Sequence, residues 1–148
     1  MAAWRLARSV RDALAGFVAA VRSERNLRIH LAVLVTVIGL AGASRLRLVE
    51  WGLLLLVSSV VIAMELMNTA IEAAVDYTGP EAHPLARLAK HTAAAGVLVS
   101  AAGAVAVGAL VLAPWARWEM LKGGLHSPWG LVVLAGAVLT LIAVMEVT

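Results

Sequence analysis

Glu65, Asn68, Glu72 and Asp76 share one stripe of the long apolar segment that runs from Leu53 to Asp76. At roughly 100° per residue, their offsets of 3, 7 and 11 positions keep the four groups within about 80° of arc. A carboxylate in hydrocarbon costs several kcal/mol unless a partner, a metal or water answers it. Three on one helix face therefore mark a site. Two carboxylates that share a cation escape their mutual repulsion, and Glu24 and Glu72 are the candidates to share one. Mg²⁺ prefers oxygen ligands and often takes one or two carboxylates together with phosphate oxygens. Lys90 can meet a phosphate as a point charge. Glu65 lies about 10 Å deeper than Glu72, at about 1.5 Å rise per residue. A carboxylate there can accept a proton from a lipid hydroxyl arriving sideways from the bilayer, and Asn68 can orient either group. One end suits a nucleotide and the other a lipid, which is what phosphoryl transfer to a membrane alcohol requires.

The elements that must carry these groups are helices. The chain has 148 residues and is 62% hydrophobic, with a mean hydropathy of +0.93. Soluble domains are usually about 45–50% apolar. Four apolar stretches are long enough, or nearly so, to cross a bilayer. Strand-like alternation in short pieces is absent, so helices are the spanning element. The sequence predicts an all-α membrane protein. An N-terminal amphipathic surface helix covers about 3–25, and three core transmembrane helices cover about 27–43, 51–75 and 93–114. A fourth C-terminal span covers about 129–145. Residues 1–114 read as the membrane domain and 115–148 as an extension that carries no obvious chemistry beyond Glu146.

Leu6, Val10, Leu14, Phe17 and Val21 recur at three- and four-residue spacing, with Arg8, Asp12, Arg22 and Arg25 largely elsewhere. That pattern predicts a helix lying in the membrane interface, with Trp4 at headgroup level. Its arginines are spread along the helix rather than gathered before an apolar core, unlike a secretory signal. Gly79-Pro80 predicts the end of the second span, and Pro84 suits the first turn of the next helix. Gly123-Gly124 and Pro128 predict a break before the fourth span.

Orientation follows from the basic residues in short loops. With the N-terminus inside, the cytoplasmic side holds eight (Arg5, Arg8, Arg11, Arg22, Arg25, Arg28, Arg87, Lys90) and the outer side four (Arg45, Arg47, Arg117, Lys122). Glu24, Glu72, Asp76, Lys90 and His91 then meet at the cytoplasmic boundary. The net charge of +3 suits an anionic inner leaflet. A nucleic-acid binder would show interleaved aromatics and a soluble body, and neither is present. There is no cysteine, hence no disulfide or thiolate site. Neither G-x-x-x-x-G-K-[ST] nor G-x-G-x-x-G occurs, and the histidines form no H-E-x-x-H pattern. His30 and His126 read as interfacial polar residues rather than ligands.

The run Glu65-Leu-Met-Asn68-Thr69-Ala70-Ile71-Glu72-Ala-Ala-Val-Asp76 resembles the signature E-x-x-N-[ST]-[SA]-I-E-x-x-x-D of the small prokaryotic diacylglycerol kinase family, which includes undecaprenol kinases. Glu24-Arg25-Asn26-Leu-Arg-Ile-His30 resembles the E-x-N-x-x-x-H stretch of undecaprenol-type members, and Glu81-Ala-His83 with Leu88-Ala89-Lys90 resembles the family's nucleotide loop. The likeness spans roughly Arg5 to Leu112. It implies a trimeric lipid kinase of the bacterial cytoplasmic membrane, with active sites between subunits. By the same resemblance Glu65 is the catalytic base, and Glu24 and Glu72 bind Mg²⁺ with ATP. Asn68, Asp76, Glu81, His83 and Lys90 shape the nucleotide site, Arg5 aligns with a further site residue, and Asn68 joins Glu65 at the lipid. Gly96, Ser100, Gly103 and Ala104 are compatible with close helix packing.

The family usually has an aspartate after the lysine; here His91 stands in its place, and it is expected to contact ATP. Undecaprenol is the preferred acceptor and diacylglycerol the alternative. The competing class is a small transporter or ion-channel subunit, which would use the same acidic stripe. Against it, the carboxylates gather towards one membrane face, and the other spans lack central acids.

Overall fold

The computed structural model describes residues 2–44, 46–79 and 83–123, together with residues 131, 135, 136 and 138. Four helices follow in order: α1 (Ala2–Ser23), α2 (Arg25–Ala43), α3 (Leu48–Thr78) and α4 (Pro84–Gly123). Among the described residues there is no strand. Three helices are long and apolar enough to cross a membrane, over Arg25–Gly42, Leu48–Tyr77 and Pro84–Pro114.

Each helix boundary has a local cause. Glu24 alone separates α1 from α2, with extended backbone at φ −99° and ψ 116°. The Arg28 guanidinium donates from Nη1 to the carbonyls of Val21 and Arg22, at 3.1 and 3.2 Å, and so satisfies the carbonyl end of α1. Leu27, fully buried, pins the same elbow. At the start of α3, the Arg47 N–H donates to Glu50 Oε2 at 2.7 Å and the Arg47 side chain pairs with Oε1 at 3.0 Å, answering the orphan donors of the first turn. Gly79 ends α3 at φ 121° and ψ −173°, a conformation open essentially to glycine alone. Pro84 opens α4, where a missing N–H is harmless.

One expectation needs extending. The third span is the middle of a 40-residue helix that begins at Pro84 and passes through Pro114 to Gly123. Proline forfeits one intrahelical hydrogen bond but need not end a helix whose flanks continue on both sides. The fourth span falls almost entirely outside the described residues. Of it, Gly136 is buried against Thr36 of α2, where a Cβ would collide with the threonine side chain.

α3 is the central element and touches α1, α2 and α4. Its buried residues Leu54, Val61, Glu65 and Asn68 recur at offsets of 7, 11 and 14, one stripe of a helix. That stripe begins apolar and turns polar. α4 comes close where Gly96 meets Met64, the small residue allowing near approach of the two helices. α1 has its buried and half-buried side chains in its last turns, at Phe17, Ala20 and Val21. Trp4, Leu6, Val10, Leu14 and Val18 remain exposed.

Candidate functional site

The acidic stripe lies in the C-terminal half of α3. If that helix enters the hydrocarbon at Leu48, Glu65 is about 25 Å along the axis and Glu72 about 36 Å. With a hydrocarbon thickness of about 30 Å, the stripe crosses the boundary between lipid and water. Glu65 is 2% exposed and Asn68 9%. Asn68 Nδ2 donates to Glu72 Oε1 at 2.8 Å, so the two lower groups are tied one turn apart. The Asn68 carbonyl oxygen is buried and has no hydrogen-bond partner among the described residues. Such an atom calls for a ligand or water, because an unanswered buried acceptor costs about 1–3 kcal/mol.

Three cavities join along this stripe. The first is a cleft of about 380 Å³ lined by Glu72, Val75, Ala86, Arg87, Lys90, His91 and Ala94. A second, also about 380 Å³, is lined by Glu65, Asn68, Asn26, Ile29, His30 and Ala94, with Val97, Leu98 and Ala101. Ala94 belongs to both, so they abut there. The third is an apolar trough between α2, α3 and α4 that includes Val33, Leu34, Val37, Val57, Val61 and Ala104, and it shares Ile29, His30 and Ala101 with the second. A charged cleft thus leads past a buried carboxylate into an apolar trough.

Five of the ten sequence-predicted residues line this path: Glu65, Asn68, Glu72, Lys90 and His91. Glu24 sits at the α1–α2 elbow, within electrostatic reach of Glu65, as is Glu72. Lys90 reaches across from α4 to Asp76, with Nζ 2.8 Å from Oδ1. His91 lines the cleft on the same face of α4. His83 stands at the start of α4, where its Nδ1 accepts from the Leu85 N–H at 3.2 Å. Arg5 is exposed on α1 and lines none of these cavities. Glu81 lies outside the described residues.

Two contributors escaped the sequence reading. His30, expected to be a plain interfacial residue, places Nε2 3.2 Å from Glu65 Oε1. Arg87 lines the charged cleft beside Lys90. For Arg87 a signal existed: positions 87, 90, 91 and 94 fall on one face of α4. His30 closes the E-x-N-x-x-x-H stretch, but nothing there points to Glu65, its partner 35 residues along the chain on another helix.

Among the described residues no three His, Asp or Glu side chains form a ready-made metal cage. Glu24 and Glu72 are nevertheless hard oxygen donors of the kind Mg²⁺ uses in ones and twos, with phosphate oxygens completing the shell. The donor set fits a cation that arrives with a nucleotide.

Known proteins are similar to this chain in sequence. A family profile described as prokaryotic diacylglycerol kinase matches residues 11–112. A diacylglycerol kinase of Synechocystis sp. is 43% identical over 107 residues, 72% of this chain and 61% of that protein. An undecaprenol kinase of Bacillus subtilis is 37% identical over 93 residues, 63% of this chain and 76% of that protein. A diacylglycerol kinase of Helicobacter pylori is 52% identical over 50 residues, 34% of this chain and 39% of that protein. The match therefore spans less than two thirds of the Synechocystis and Helicobacter relatives. With the profile covering the elbow, the acidic stripe and the charged cleft, the chain belongs to the prokaryotic diacylglycerol kinase family.

Proposed function

We propose that this protein is a lipid kinase that transfers the γ-phosphoryl group of ATP to the hydroxyl of a membrane lipid alcohol. The observation that carries the reading is that the charged cleft, the Glu65 cavity and the apolar trough lie side by side, each sharing lining residues with the next. A nucleotide fits the first, a hydrocarbon chain the last, and the reacting hydroxyl falls between them beside a carboxylate.

In this reading the alcohol oxygen attacks the γ-phosphorus while its proton passes to Glu65. The bond from that phosphorus to the ADP oxygen breaks. Glu24 and Glu72 would hold Mg²⁺, which would supply positive charge to the phosphate oxygens. Lys90 and Arg87 add positive charge at the cleft. Asn68, with its unanswered carbonyl oxygen, orients the acceptor hydroxyl, and its amide steadies Glu72. Asp76, Glu81, His83, His91 and Arg5 complete the nucleotide site. Undecaprenol is the preferred acceptor, because the Glu24–His30 stretch is of the undecaprenol type; diacylglycerol comes next. The protein works as a homotrimer in the bacterial cytoplasmic membrane, with its N-terminus and site facing the cytoplasm.

The test is direct. The purified protein, reconstituted in lipid, receives γ-labelled ATP, Mg²⁺ and each alcohol separately. Label in the lipid fraction is expected, and kcat/KM ranks the acceptors. No transfer to either alcohol, together with ion flux in liposomes, would replace the kinase with a transporter.

A further inference from the structure

His30 and Glu65 approach from different helices, α2 and α3. The Glu65 side chain is 3% exposed and that of His30 23%. Nε2 stands 3.2 Å from Oε1, yet Oε1 has no aligned hydrogen bond among the described residues. An imidazole N–H at that range needs only a small ring rotation to donate to it. Leu27, fully buried one turn before His30, fixes the helix from which the imidazole projects. A carboxylate with neither oxygen engaged offers both and is free to turn. Once one oxygen is held, the other is directed. Active-site groups keep productive geometry only when a neighbouring hydrogen bond locks them.

We infer that His30 is the positioning residue for Glu65. It donates from Nε2–H to Oε1 and leaves Oε2 facing the acceptor hydroxyl. The imidazole donates throughout and takes no proton from the reaction. This rests on the reading of Glu65 as the base.

The experiment compares His30→Gln with His30→Met in the full chain in lipid. Glutamine carries an amide N–H near the position of Nε2, whereas methionine has similar length and no donor. The expected result for His30→Met is a kcat lower by about 10–100-fold, the range seen when a supporting hydrogen bond to a functional group is lost. Its KM for ATP should stay within about two-fold of wild type, and His30→Gln should keep kcat within about three-fold. A second readout is independent of turnover. The infrared carboxylate band of Glu65, isolated by subtracting the spectrum of Glu65→Gln, should shift in His30→Met and not in His30→Gln. Equal loss in both variants, an unchanged kcat in His30→Met, an unmoved band, or a rise in the KM for ATP instead would overturn the assignment. Full transfer by Glu65→Gln would show instead that the base itself is misassigned.

Discussion

Glu65 and Glu72 sit two turns apart on one helix and are expected to fail differently when altered. Glu65→Gln keeps the shape of the buried side chain and removes its basicity. Transfer should fall by about 10²–10⁴-fold, the span a general base contributes, while Mg·ATP still binds, as calorimetry would read. Glu72→Gln keeps an oxygen that can accept from Asn68, so local structure should survive. Its Mg·ATP affinity should drop about 10–100-fold, in line with the loss of a charge-assisted contact. Weakened ATP binding in Glu65→Gln would break this division of labour. His91→Ala should change either the KM for ATP or kcat, and steady-state kinetics decides it. The stripe from Glu65 to Asp76 was legible because a helical period alone brings its members together. The partnership of His30 with Glu65 was not, because it depends on how α2 lies against α3, which no local spacing encodes.

The helices meet through two glycines with different duties. Gly79 holds a backbone conformation that costs about 1–3 kcal/mol for other residues. Gly79→Ala should lower Tm, followed by circular dichroism, and raise the KM for ATP, since α3, which Gly79 ends, and the first turns of α4 both line the charged cleft. Gly96 matters for volume rather than backbone, as the methyl end of Met64 lies over it. Gly96→Ala should be tolerated because that methyl can move, whereas Gly96→Leu should destabilise by about 1–3 kcal/mol through overpacking of α3 on α4. The turn at Gly79 and the start at Pro84 could be read directly from residue types. The passage of α4 through Pro114 could not, since a proline signals a break only where the surrounding chain does not hold the helix together.

The molecule as a whole presents long apolar helices to its surroundings. Ala93 alone of the Pro84–Pro114 span is buried among the described residues, so the sides of this helix must meet lipid or other copies. Sidedness is open to a clean test because the chain has no cysteine. A cysteine at Leu48, 88% exposed, should react with a membrane-impermeant thiol reagent on intact cells. One at Ser23, beside the elbow, should react only after the membrane is opened. Reversed labelling would place the charged cleft outside, away from cytoplasmic ATP.

The Asp76–Lys90 pair bears on how a ligand is received. The Asp76 side chain is 56% exposed and that of Lys90 24%, and a contact so open to water is worth about 0–1 kcal/mol. A phosphate that takes the lysine therefore trades places with a carboxylate at little cost, and finds the cation already aimed and partly stripped of water. On the proposed reading the aspartate is a placeholder, keeping the seat in shape between one guest and the next.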